Sequence, residues 1–370
     1  MEKKPKIVVV GDELLSPEFL AESFLPFASA GWEVVPFRFG PPTLHELDEL
    51  LLVLERDGPD AVQAPEGLEP LLSDAELLVV HMCPVGASLL ERNPQLLAVG
   101  VLRGGYENVD AAAAEALGIP VVHTLGRTSE AVSDFAVGLM LAEMRNIARC
   151  HAQIRAGGWP KEFPNSGRIP EMRELAVGIA GFGEIGRLVA KKLGGFGCRV
   201  LAHDPYVPEA AIRGAGAEPA SWEALLAESD ALTLHTRHSA GSPPLLGADE
   251  LARMKPGAYL VNTARAGLVD MEALAAALRD GRLAGAALDV FDAEPLPPGH
   301  PLLALENVTL TSHIAFDTEA FYKRSPILWR EGMNRLLAGS DRRVWINQTA
   351  LAGERLAMLE RLWMPSAAAK

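Results

Sequence analysis

The sequence is poor in cysteine, with three residues, Cys83, Cys150 and Cys198, set far apart. They make no C-x-x-C pair and no zinc-ligand spacing, so they read as reduced, incidental thiols, and no metal is expected. There is no long hydrophobic run. The N-terminal MEKKPKIVVVGD has only four apolar residues before Gly11 and Asp12, which makes a strand and not a signal peptide. The most apolar helical stretch, Val132 to Met144, is interrupted by Asp134 and Glu143 and is too short to span a bilayer. Positive charge is scarce: 34 Lys and Arg stand against 48 Asp and Glu, a formal charge of −14. Such a surface repels phosphate backbones and excludes nucleic acid as a general partner. No repeat or low-complexity segment is present apart from a disordered-looking end at Ser366–Lys370. These absences leave a cytoplasmic protein with neither a membrane nor a nucleic acid among its partners.

What is present suits an α/β architecture. The 370 residues fit two domains better than one, and 49% are hydrophobic while only 6% are aromatic, so the cores lean on Ala, Leu and Val. Ile7–Val10, Leu77–His81, Leu96–Leu102 and Pro120–His123 read as strands, with helical spacing at Leu44–Leu54 and Ala111–Leu117. One long helix is expected over 128–156, capped by Thr128 or Ser129 and stopped by Gly157-Gly158. Its length suits an interdomain link or a subunit interface. A second alternating block follows. Ala176–Gly181, Arg199–Asp204, Ala231–His235, Ala258–Asn262, Ala284–Asp289 and Val308–Thr311 read as strands with helices between most of them, which suggests a doubly wound sheet. Residues 318–337 read as helical again.

Gly181-Phe182-Gly183-Glu184-Ile185-Gly186 is a G-x-G-x-x-G with a strand leading in and a helix leading out. Asp204 closes the next strand. Gly181 permits the turn, Gly183 the approach of a pyrophosphate, and Gly186 close packing of helix on strand. The amides of Glu184 and Ile185 are then donors at a helix N-terminus. Asp204 would accept bonds from ribose hydroxyls and repel a 2′-phosphate, which favours NAD over NADP.

Further polar residues fall at or just past strand ends: Thr263-Ala264-Arg265, Asp289 with Glu294 beyond it, and His313. In open α/β sheets the ligand crevice lies there, so these residues are expected to converge. Taken singly, each has an ordinary reading: Arg265 as a surface ion pair, His313 as a structural histidine, Glu294 as a turn residue. Together they suit reduction of a keto acid. An Arg fork binds a carboxylate, a His moves a proton, and a carboxylate beside it fixes the tautomer.

The segments GIAGFGEIGRLVA, HDPY, VNTARAGLVD, GAALDVFDAEPL and NVTLTSHIA resemble, in order and spacing, those of the D-isomer-specific 2-hydroxyacid dehydrogenases, the phosphoglycerate dehydrogenase-like family. The resemblance implies two doubly wound parallel-sheet domains. One is a Rossmann NAD-binding domain over 126–314. The other is a discontinuous, flavodoxin-like substrate-binding domain over 1–125 plus 315–350. It implies that Arg265, Glu294 and His313 are catalytic and that Asp204 holds the adenosine ribose. Asp289 would support the nicotinamide side, and Thr236, Thr263, Ala264 and Arg265 would also touch NAD. Arg103-Gly104-Gly105, in RGGYENVD, is similar to the loop whose amides bind the substrate carboxylate, with Arg265 and His313 completing the substrate contacts. The long helix would then be a homodimer contact. Departures lie at Ala266, Ser312, Phe316 and Arg237, where the family commonly has glycine, proline, glycine and proline. Two other functions stay open at this point: an NAD-responsive, corepressor-like binding protein, and a formate or phosphite dehydrogenase.

Overall fold

Five short aliphatic runs pair side by side in the first part of the chain: β1 (Lys6–Gly11), β2 (Glu33–Arg38), β3 (Leu77–Val80), β4 (Ala98–Val101) and β5 (Val121–His123). They form one parallel sheet in the order β2-β1-β3-β4-β5, the flavodoxin-like order of a doubly wound fold. Side chains alternate between its faces. Val8, Val10, Leu78 and Val80 join one apolar layer, and Ile7, Val9, Leu77 and Val79 the other. With both faces covered, a continuous apolar run is what the strand requires, and each fully buried Val or Leu contributes roughly 1.5–3 kcal/mol. β2 escaped the sequence reading because Pro36 sits inside it. As an edge strand it pairs only with β1, and an edge tolerates proline.

The computed structural model describes residues 3–41, 43–238, 242–340, 342–348 and 353–363. The end Ser366–Lys370 lies outside them. The chain divides into two units, Met1–Arg127 with Thr318–Lys370, and Thr128–Asp317. The C-terminal segment joins the first unit through the helix Ser325–Leu337. Its Trp329 is fully buried in the layer of Ile7 and Val9, and Trp329 Nε1 donates to the Val122 carbonyl at 3.1 Å. A further helix, Gly353–Leu362, not expected from the sequence, adds Leu359 to the same layer.

The second unit carries seven parallel strands: β6 (Ala176–Ala180), β7 (Arg199–His203), β8 (Glu218–Pro219), β9 (Ala231–Leu234), β10 (Ala258–Asn262), β11 (Leu283–Leu288) and β12 (Val308–Leu310). Their order is β12-β11-β10-β9-β6-β7-β8. This is a Rossmann order extended by one strand, and it reverses between β6 and β9, where such folds place their ligand. The two-residue β8 is too short to have left a pattern.

The expected long helix is two helices, Ser129–Met144 and Ile147–Arg155. The break is at Asn146, whose φ is +60°. Asparagine tolerates that left-handed conformation, and its side-chain amide donates to Asn165 Oδ1 at 2.8 Å. Apolar periodicity runs through the break, which hid it. Thr128 is the N-cap of the first helix but its hydroxyl makes no capping bond. Among the described residues no helix is long and apolar enough to cross a membrane.

Candidate active site

The glycine loop is shaped by steric necessity. Gly181 has φ +92°, and a Cβ there would lie 2.7 Å from the His235 carbonyl and the Thr236 amide. The loops after β6 and β9 therefore adjoin at the point of strand-order reversal. A Cβ on Gly186 would meet the Gly181 carbonyl oxygen at 2.2 Å, so helix and strand pack closely. Gly183, the N-cap of the helix Glu184–Gly194, has open space where a Cβ would stand, and no side chain caps that helix. A bare N-terminus of this kind suits a pyrophosphate.

Asp204 ends the neighbouring strand. Its Oδ2 accepts from the Phe182 amide at 2.8 Å and its Oδ1 from the Tyr206 amide at 2.9 Å. It thus clamps the glycine loop, a role the sequence did not disclose, while each oxygen keeps a second acceptor site for a ribose hydroxyl. Beside the β10 end, Thr263 Oγ1 is buried and has no hydrogen-bond partner among the described residues. A ligand bound there would satisfy this orphaned group. Thr236 is half-buried at the β9 end. Together, the open Gly183, the uncapped helix and the orphaned Thr263 hydroxyl fit a dinucleotide.

Arg265, Glu294 and His313 line one hollow of about 510 Å³, with Phe291 and His238 among its walls. Asn262, fully buried, sets the first of them. Its amide donates to the Arg265 carbonyl at 2.8 Å and its Oδ1 accepts from the Ala264 amide at 3.0 Å. The Arg265 side chain is exposed, with Nη1 donating to the Ala264 carbonyl at 2.7 Å.

His313 and Glu294 are a pair. His313 Nδ1 lies 2.8 Å from Glu294 Oε2, and Glu294 Oε1 accepts from the Phe291 amide at 3.0 Å. Burial pushes the Glu294 carboxyl up. The His313 and Phe291 bonds, with the His313 and Arg265 charges, outweigh it and hold the group below the ordinary 4.5. An ionised carboxylate only accepts, so Nδ1 carries the proton and Nε2 is the working nitrogen. His313 itself has φ +57°, an uncommon conformation for a non-glycine residue, of the kind found at functional sites. Phe316 stands edge-on to its ring at 6.2 Å.

Asp289 explains how that conformation is held. Its carboxylate, fully buried, accepts from Thr311 Oγ1 at 2.6 Å and from the amides of Ile314 and Ala315 at 3.0 and 2.9 Å. The sequence reading placed it on the nicotinamide side. Its bonds in the protein go to the loop carrying His313. The substrate-loop residues lie in the first unit. Arg103 is 7% exposed, and the Gly104 carbonyl accepts from His123 Nδ1 at 2.6 Å.

Comparison with known proteins adds the family. The NAD binding domain of the D-isomer specific 2-hydroxyacid dehydrogenases matches residues 137–315. A glyoxylate reductase of Thermofilum pendens is 34% identical over 84% of this chain and 92% of its own length. A D-3-phosphoglycerate dehydrogenase of Methanocaldococcus jannaschii is 33% identical over 86% of this chain, which spans 60% of that relative. The crystal structure of the TT0316 protein from Thermus thermophilus, 32% identical, aligns with a TM-score of 0.62 over 92% of this chain and 99% of its own. The chain belongs to the D-isomer specific 2-hydroxyacid dehydrogenases, and it is an NAD-dependent oxidoreductase that transfers hydride between its cofactor and a 2-hydroxy acid/2-keto acid pair.

Proposed function

We propose that the reaction takes place in the hollow of Arg265, Glu294 and His313. The observation that carries this is the 2.8 Å bond between His313 Nδ1 and Glu294. In keto-acid reduction His313 Nε2 protonates the carbonyl oxygen, and in the reverse direction it takes the hydroxyl proton. Glu294 fixes the tautomer and favours the charged imidazole. Arg265 forks the substrate carboxylate, and Arg103, Gly104 and Gly105 supply further substrate contacts. NADH supplies the hydride. The Gly181–Gly186 loop, with the amides of Glu184 and Ile185, holds its pyrophosphate, and Asp204 its adenosine ribose. Thr236, Thr263, Ala264 and Asp289 lie along its remaining length. Following NADH and NADPH oxidation over a panel of 2-keto acids tests the reading. At least one keto acid should be reduced, with NADH preferred; silence across a broad panel overturns it.

Two substitutions follow. Glu294→Gln should lower kcat by about 10²-fold or more, as loss of a histidine-orienting carboxylate does elsewhere. In the parent, Glu294 stays ionised above pH 4.5, and its contribution to stability is lost only as pH falls through the lowered value. Asp204→Asn should shrink the NADH-over-NADPH preference, read as the ratio of kcat/KM values, because repulsion of a 2′-phosphate is removed.

The enzyme is a cytoplasmic homodimer in this reading. Cys83, Cys150 and Cys198 are free thiols, which suits a reducing compartment. Ile147 and Ile154, 57% and 44% exposed, lie seven residues apart on one helix, and Trp159 beyond it is 75% exposed. An apolar face of this kind suits a subunit contact. A mass corresponding to one chain by light scattering would contradict the dimer.

A further inference from the structure

His238 is a wall of the reaction hollow to which the chemistry above gives no task. It lies in the loop after β9. Arg265, Glu294 and His313 line the same hollow from the loops after β10, β11 and β12. All four belong to the second unit and stand past the carboxyl ends of one parallel sheet, its usual ligand side. A glycine sets the imidazole. Gly267 stands in the short helix Ala266–Leu268, two residues after Arg265. A Cβ on it would lie 2.7 Å from His238 Cε1 and 3.0 Å from both Nδ1 and Nε2. Those distances fit a ring lying flat over the turn; an edge-on ring would hold its nitrogens farther off. Gly267 is not among the glycines with positive φ, so it is the space taken by the ring, and not the backbone angle, that requires glycine.

In a ring that lies flat, the hydrogen-bonding directions of both nitrogens run along the turn, so Gly267 blocks neither. The ring is half-buried, and Nε2 is buried with no hydrogen-bond partner among the described residues. A buried nitrogen left unpaired is costly, and a leucine would fill the same space without that penalty. Asp292, the remaining polar side chain lining the hollow, is exposed and carries a charge of the keto acid's own sign. It disfavours a second anionic group on the substrate and favours a neutral one. A hydroxyl both donates and accepts, so it meets an imidazole in either tautomer.

We propose that His238 is a specificity-determining residue: it bonds a hydroxyl on the carbon next to the keto group. Keto acids with a 3-hydroxyl are then preferred over their alkyl counterparts. This rests on the reading that keto acids are reduced in the hollow of His313. The competing role for His238 is packing alone, as a spacer that holds the turn after Arg265.

Hydroxypyruvate and 2-oxobutanoate separate these roles, because they differ by a hydroxyl in place of a methyl. With NADH, the parent should prefer hydroxypyruvate by about tenfold or more in kcat/KM, as expected for one hydrogen bond. The hydroxyl also activates the neighbouring carbonyl, so the change in this ratio on substitution carries the test. His238→Leu should lower the ratio about tenfold. His238→Gln, which keeps a donor and an acceptor, should retain more of it. Gly267→Ala should lower it as well, because its methyl takes the space of the ring; Tm shows which variants are folded. If His238 only packs, both keto acids lose kcat/KM by the same factor and the ratio stays fixed, which overturns the proposal. A rise in KM for NADH with the ratio unchanged assigns the ring to the cofactor and also overturns it. A parent enzyme that reduces both keto acids equally well overturns it too, while the His313 reading stands. If no keto acid is reduced, both fall.

Discussion

Replacing His313 with glutamine is expected to lower kcat for keto-acid reduction by about 10²- to 10⁴-fold, with NADH binding retained. Glutamine can still donate to Glu294, but it has no proton to give the carbonyl oxygen. The substitution also places a new residue at φ +57°. Magnitudes decide which effect governs the rate. A left-handed residue costs roughly 1–2 kcal/mol, whereas the expected rate loss corresponds to about 2.7–5.4 kcal/mol of barrier. Histidine already occupies that conformation in the parent, so only the difference between the two side chains, less than the cost of the conformation itself, can show in Tm. The missing proton lowers turnover in enzyme that is still folded. Stopped-flow measurement of NADH oxidation beside NADH fluorescence titration separates the two.

Asp289→Ala should lower both stability and turnover. It leaves the Thr311 hydroxyl and the amides of Ile314 and Ala315 without their acceptor. Each buried group left unpaired costs about 1–3 kcal/mol, so a clear drop in Tm is expected even without cofactor. The loop that sets His313 is then free to move, and a displacement of about 1 Å costs on the order of 10²-fold in rate. A different outcome would assign Asp289 differently. If its action were mainly on the nicotinamide, KM for NADH would rise while the Tm of the cofactor-free protein stayed at the parent value.

The strands and the glycine loop were legible because their causes are local. A strand buried on both faces must be apolar along its length, as Ile7–Val10 and Ala176–Ala180 are. Gly181 and Gly186 stand where any side chain would collide. Arg265, Glu294 and His313 could be grouped because each follows a strand end, and strand ends of one parallel sheet share one side. The residues that hold the site left no such mark. Asp289 could be noticed as a strand-end carboxylate, but nothing in the sequence said that its bonds go to residues 311–315. Asp204 likewise gave no sign of clamping Phe182. Asn146, which divides the long helix, sits inside an unbroken apolar period. His238 rests on Gly267, and no periodicity encodes a contact between loops that follow different strands.

The account's central claim is that Glu294 and His313 act as one proton-transfer unit, and a double-mutant cycle on kcat tests it most directly. Residues acting as a unit are strongly non-additive. His313→Gln combined with Glu294→Gln should therefore be no slower than His313→Gln alone. If the two losses multiply, Glu294 acts independently of His313, and the account is contradicted.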